Sequence, residues 1–98
     1  EVVKLLTGFA QSATARKRFA IAADYWREIA TIESQSANHR LSLAKAWLAA
    51  EKPEQAIAAL AAGLREGAIK VEMLNDPAFE TLRGAAAFDS LRSGSRQP

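Results

Sequence analysis

Few residues in this sequence are of types that do acid–base, metal or nucleophilic chemistry. His39 is the only histidine and no cysteine is present, so a thiolate metal site cannot form. Asp24 and Glu28 are four residues apart and share a face if this stretch is helical, where lone carboxylates are ordinarily solvated. We expect His39 to be a solvated residue in the first turn of a helix, with no role in catalysis.

Serines and glycines give no stronger signal. Ser12, Ser34 and Ser36 have no base at a recognisable spacing, so no activated nucleophile is predicted. The five glycines are scattered and form no phosphate-binding loop. The sequence therefore predicts no catalytic residue, no cofactor and no metal, and we expect a protein that is not an enzyme.

The charges are nearly balanced, with a formal net charge of +2. Arg16-Lys17-Arg18 is a small basic cluster, and the C-terminal end is also basic. A nucleic-acid interface needs a coherent basic stripe, usually with exposed stacking aromatics in single-strand binders. Trp26 and Trp47 fall instead on apolar helix faces, so we expect both to be largely buried and expect no nucleic-acid partner.

Targeting signals are lacking in this stretch of chain. No apolar run approaches the ~18 residues needed to cross a bilayer, so no membrane span is expected. The sequence begins at Glu1 without Met or a signal-like segment, and we expect an excised piece of a longer protein whose localisation is open.

Apolar residues recur at the three-to-four spacing of helices in four stretches, and alanine makes up about a fifth of the chain. The pattern predicts an all-α protein, with helices at 2–15, 19–32, 37 to about 51, and 53 to about 67. In the third helix Leu41 and Leu48 share a face, and Ser36 or Asn38 can cap its start. Pro53 marks the next start, so the two helices form an antiparallel hairpin.

This hairpin resembles a tetratricopeptide repeat. The residues that carry the resemblance are Leu43-Ala44, Trp47, Glu51-Lys52-Pro53-Glu54, Ala56, Leu60 and Gly63-Leu64. Two positions depart from the family pattern: Arg40 stands where Trp or Leu is usual, and Glu51 where Gly often marks the turn.

A second, weaker copy lies 34 residues upstream, which is the length of such a repeat. The pairs at this offset are Phe9/Leu43, Ala10/Ala44, Ala13/Trp47, Ala22/Ala56, Trp26/Leu60, Ile29/Gly63 and Ala30/Leu64. We divide residues 1–92 into repeat one (about 3–36), repeat two (about 37–67) and a capping segment (about 68–92), followed by a polar tail at 93–98.

The capping segment begins with a strong start signal, Asn75-Asp76-Pro77. The sequence of residues 76–92, DPAFETLRGAAAFDSLR, resembles a segment that closes bacterial arrays of this family. The apolar residues expected to plug the last open hairpin are Phe79, Leu82, Phe88 and Leu91.

The resemblance implies a right-handed α-α superhelix whose concave wall, built by the first helix of each pair, binds a peptide or a partner protein. The inward positions carried over to this chain are Lys4, Thr7, Gln11, Asn38, Leu41, Lys45 and Leu48. Lys45, supported by Lys4, is expected to hold an acidic segment.

The alternative is a scaffold, capping or self-association segment of a longer tetratricopeptide-repeat protein. In that case the contact of a homodimer is expected at the N-terminal apolar edge, formed by Val2, Val3 and Leu6.

Overall fold

The computed structural model describes residues 2–33 and 35–94, with side chains as far as residue 92. Four long helices come first: α1 (Val2–Ala15), α2 (Phe19–Ile32), α3 (Ala37–Ala49) and α4 (Pro53–Arg65). Two 3₁₀ helices, Val71–Asn75 and Pro77–Leu82, and the helix α5 (Ala86–Gly94) follow. The prediction of an all-α protein is confirmed for this part of the chain. The tail predicted at 93–98 overlaps the end of α5, and Ser34 and residues 95–98 lie outside the described residues.

The turns after α1 and α3 have the same geometry. Lys17 and Glu51, which are 34 residues apart (51 − 17), both adopt the left-handed conformation, with φ of 61° and 62°. In each turn the next residue, Arg18 or Lys52, donates its amide to a carbonyl five residues earlier, at 2.8 and 2.9 Å. This bond satisfies a carbonyl at the helix end. Glu51 therefore takes the conformation that glycine favours, and the departure from the family pattern leaves the hairpin intact.

Three helices begin at the capping residue or the proline that the sequence indicates. Ser36 lies ahead of α3 and its hydroxyl accepts the His39 amide at 3.4 Å. Pro53 is the first residue of α4, where its missing N–H leaves no bond unmade. Asp76 accepts the Ala78 amide at 2.8 Å and begins the second 3₁₀ helix.

The helices pack chiefly on their neighbours in sequence, and α3 lies in the centre with apolar contacts on two sides. On one side, α3 contributes to a buried cluster with α1 and α2, which we call the alanine cluster: Ala13, Ala22, Ala23, Leu43 and Ala46. On the other side, α3 contributes to a second buried cluster with α4 and the segment after it, which we call the C-terminal core: Ala44, Ala56, Leu60, Ile69, Leu74, Phe79, Leu82 and Phe88. We call residues 68–92, which complete this second core, the C-terminal cap.

The two cores differ in bulk. Except for Ile29, the largest fully buried side chains of the described residues lie in α4 and the C-terminal cap. Phe79, Leu82 and Phe88 are buried as predicted, and Leu91 packs partly buried against them. At the other end, α1 buries only Ala10 and Ala13. The large buried side chains, which contribute most to stability when they leave water, are therefore concentrated at the C-terminal end.

Candidate functional site

A groove runs between α1 and α3, and α2 forms its floor. It encloses a cavity of about 320 Å³. We call it the Lys45 groove. The residues that line it are Gln11, Thr14, Phe19, Trp26, Ser42, Lys45, Ala46 and Ala49. It lies between the first helices of the two hairpins, where the concave wall was expected.

The seven residues predicted for that wall are only partly brought together. Gln11 and Lys45 line the groove. Lys4 and Asn38 are exposed, but they are not among the residues that line it. Thr7 is half-buried, and its hydroxyl donates to the carbonyl of Val3 at 2.7 Å, one turn earlier.

Leu41 and Leu48 are partly covered. Both were predicted for the wall, and both are half-buried and pack against the C-terminal core. The reason is that the C-terminal cap needs an apolar surface to cover, and this face of α3 supplies part of it. Helical spacing alone does not tell a wall residue from one that lies under the cap.

Lys45 is the one charged side chain among the residues that line the groove. Its Nζ atom lies 3.3 Å from Oδ2 of Asp76, at the start of the second 3₁₀ helix. The Ala78 amide and, to a smaller extent, Lys45 hold the pKa of Asp76 below its usual value. About half of the Lys45 side chain is exposed. The ammonium is therefore reachable from the groove while it carries an internal carboxylate partner.

Both tryptophans pack against the apolar cores, as expected, but neither is fully enclosed. Trp26 and Trp47 are each partly buried, and each also lines a groove. Alanines fill the space between α1, α2 and α3, and part of each indole stays accessible from its groove. Trp26 and Phe19 form the apolar floor of the Lys45 groove, a role that the sequence analysis missed.

A second groove opens between α2 and α4, with α3 as its floor. Its cavity is about 570 Å³, and Trp47 and Leu43 lie on the floor. Arg40, only 8% exposed, lies here and forms an ion pair with the half-exposed Glu66 at the end of α4. The departure from the family pattern at Arg40 is thus a buried cation that links α3 to α4.

His39 also differs from its prediction. Its side chain is 20% exposed, and Nε2 lies 2.8 Å from a carboxylate oxygen of Glu33. The imidazole stacks on Trp26 with ring centroids 6.0 Å apart. His39 therefore packs at the α2–α3 junction instead of being solvated. The spacing of residues along the chain gave no indication of this contact.

The N-terminal edge is exposed, but only Val2 of the three expected residues is part of it. Val3 and Leu6 are half-buried, whereas Val2, Leu5 and Phe9 are exposed. The exposed edge is rotated from the expected one by about one residue, or ~100° around the helix axis. The small residues Ala10 and Ala13 are buried on the side of Val3 and Leu6, where α1 packs on α2.

Over the described residues, no helix combines the length and apolarity that a membrane span requires. The same part of the chain holds no cluster of three His, Cys, Asp or Glu side chains that suits a metal ion. No family model, no curated protein and no solved structure matches the chain. The likeness to tetratricopeptide repeats therefore rests on the residues and on the repeated turn.

Proposed function

We propose that this protein is a non-catalytic interaction module of tetratricopeptide-repeat type, which binds a short acidic peptide or a peptide segment of a partner protein in the Lys45 groove. The observation that carries the proposal is an accessible ammonium group beside an apolar, aromatic floor. In this proposal the hairpins stack as a right-handed superhelix and α1 and α3 form the concave wall.

The composition of the groove favours a peptide that combines two kinds of side chain. Phe19 and Trp26 offer a half-buried apolar surface to one side chain of the ligand. Lys45 offers a charge-assisted hydrogen bond to a carboxylate nearby. Gln11 and Ser42 line the groove with groups that can bond to a peptide backbone. A few polar groups around an apolar surface are typical of a ligand site.

The contact with Asp76 indicates what the ligand must displace. A carboxylate already lies 3.3 Å from the Lys45 ammonium, so the ligand competes with an internal acid. The groove is also short, and a peptide loses entropy when it becomes ordered. We therefore expect modest affinity that falls as salt rises, because exposed charges are screened beyond ~8–10 Å at physiological salt.

The test is a peptide array in which each apolar–acidic peptide is paired with its Asp→Asn or Glu→Gln counterpart. Wild type should prefer the acidic member, and Lys45→Glu should lose that preference. Lys70→Glu is the matched control, because it makes the same change at an exposed lysine that does not line the groove. If the peptides bind wild type and Lys45→Glu equally well, the proposal that they bind in the Lys45 groove is wrong, and the scaffold alternative is favoured.

A second variant tests the competition with Asp76. Asp76→Asn keeps a side-chain oxygen that can cap the 3₁₀ helix but removes the charge that occupies Lys45. Acidic peptides selected on the array should bind this variant several-fold more tightly than wild type, measured by calorimetric titration. Weaker binding to Asp76→Asn would contradict a role for Lys45 in holding the ligand.

A further inference from the structure

The N-terminal end of the molecule presents a contiguous apolar surface. Its members lie on the outer sides of α1 and α2; those with large exposed side chains are Val2, Leu5, Phe9, Ile21 and Ile32, each between 44% and 61% exposed. Tyr25, half-buried, joins the two rows, since its ring centroid lies 5.5 Å from that of Phe9. We call these six residues the N-terminal face.

The second hairpin shows how the corresponding positions are packed when another helix covers them. Phe9 corresponds to Leu43 at the 34-residue offset (43 − 9), and Ser12 corresponds to Ala46 (46 − 12). Leu43 and Ala46 are only 7% and 8% exposed, because they pack with α2 in the alanine cluster. Phe9 therefore occupies a position through which a hairpin packs on the helix before it, and the N-terminal face around it fits another apolar helical surface.

A second copy of the chain cannot cover this face with its C-terminal end. There the equivalent open surface of α4, which includes Leu60 and Leu64, is already packed under the C-terminal cap. Head-to-tail stacking is thus blocked. A second copy can instead offer its own N-terminal face, which makes the contact isologous, with a two-fold axis.

The charges around the face select one two-fold arrangement. The exposed cluster Arg16-Lys17-Arg18 lies at one end of the helix pair, in the α1–α2 turn. Glu28, also exposed, lies toward the other end of α2. Glu33 follows it, but its carboxylate already contacts His39 of α3. If the two-fold axis lies in the contact plane and perpendicular to the helices, the helices of the second copy run in the opposite direction. The basic end of each copy then lies over the acidic end of the other. If the axis lies parallel to the helices, the two basic ends meet and the two acidic ends meet.

We propose that the N-terminal face binds the N-terminal face of a second copy, with the helices antiparallel and the charged ends reversed. The proposal does not rest on the peptide-binding function, because the Lys45 groove lies on another side of the helices. Two helices of about 21 Å by about 10 Å offer roughly 400 Å² per copy. Stable interfaces bury about 800 Å² per partner, so we expect a weak dimer with a dissociation constant on the order of 100 µM.

Sedimentation equilibrium between about 10 µM and 1 mM tests the proposal. Wild type should dimerise reversibly, and Leu5→Glu should weaken the dimer at least tenfold, because a carboxylate would be buried in the apolar contact. Leu5 is 61% exposed, so the variant should fold, as circular dichroism will check. The matched control is Gln11→Glu, which adds the same charge to another side of α1 and should change the dissociation constant less than twofold.

The reversed orientation has its own test. Raising NaCl from about 50 to 300 mM should weaken the wild-type dimer several-fold, since it screens attraction between opposite ends. Glu28→Gln should weaken the dimer at low salt. If the higher NaCl concentration and Glu28→Gln both strengthen the dimer, the reversed arrangement is wrong. A wild type that stays monomeric at 1 mM, or a dimer indifferent to Leu5→Glu, would overturn the proposal.

Discussion

Three polar side chains of α3 connect this central helix to the segments around it. His39 contacts Glu33 at the end of α2, Arg40 pairs with Glu66 at the end of α4, and Lys45 pairs with Asp76 in the C-terminal cap. The Lys45–Asp76 pair is partly exposed, and such pairs contribute about 0–1 kcal/mol, so this contact mainly orients segments that the apolar cores already hold together.

The Asp76 contact predicts a dependence on pH. Because the folded-state pKa is held below the ordinary value of 3.8, the ionised carboxylate favours the folded state. That contribution is fully present above pH 3.8 and is lost as the pH falls below 3.8 through the folded-state pKa. Asp76→Asn should therefore be less stable than wild type at about pH 6, and the difference should shrink at about pH 2.5.

Urea unfolding of both proteins at the two pH values measures this difference. The comparison cancels the titration of the other carboxylates, provided that they behave alike in the two proteins. A difference that stays constant or grows in acid would mean that Asp76 stabilises the fold only as a hydrogen-bond acceptor, without its charge.

At the scale of elements, two helical glycines have opposite surroundings. A Cβ atom built on Gly8 in α1 would have no neighbour within 4 Å. A Cβ on Gly63 in α4 would lie 3.0 Å from Cγ1 of Ile69, which is buried. Gly63 therefore permits the close approach of the C-terminal cap to α4, whereas nothing inside the described molecule requires glycine at position 8.

Alanine substitution should separate the two positions. Gly8→Ala should raise the free energy of unfolding by about 0.5–1 kcal/mol, because glycine is the poorer helix former. Gly63→Ala gains the same term but adds overpacking strain of about 1–3 kcal/mol, so it should be neutral or destabilising.

Thermal unfolding at low micromolar concentration, where the chain is monomeric, measures both substitutions and keeps self-association out of the comparison. If Gly63→Ala is stabilised as much as Gly8→Ala, the cap does not pack closely on α4.

At the scale of the whole molecule, the unequal cores predict where a truncation matters. Phe79 is fully buried in the C-terminal core, whereas Phe9 is 51% exposed on the N-terminal face. Phe79→Ala should cost about 3–5 kcal/mol, which is a large part of the stability of a small domain. Phe9→Ala, the same change at the other end, should cost less than about 1 kcal/mol in the monomer.

Guanidinium unfolding followed by far-ultraviolet circular dichroism and by tryptophan fluorescence checks this prediction. Phe79→Ala should shift both transitions together, since α3 contributes to both cores. If only the circular dichroism transition moved, the cap would unfold independently of the hairpins.

The sequence determined the helices, their starts and the cap. These features depend on local signals: helical spacing, the prolines Pro53 and Pro77, the serine at 36, and the run of apolar residues after Asp76. Such signals act within a few residues of each other, so they can be read without knowing what lies opposite. The left-handed turns at Lys17 and Glu51 were located as helix ends, but their conformation was not predicted because neither residue is glycine.

Only the tertiary structure decided which side of each helix is covered. Leu41 and Leu48 pack against the cap, Phe9 remains exposed, and Trp26 is left on the floor of a groove. All are apolar residues at helical spacing, so the pattern treats them alike. Their exposure depends on the next helix in space, and on the alanines that set how closely it approaches. The same holds for the burial of Arg40, since its partner Glu66 lies 26 residues further along the chain.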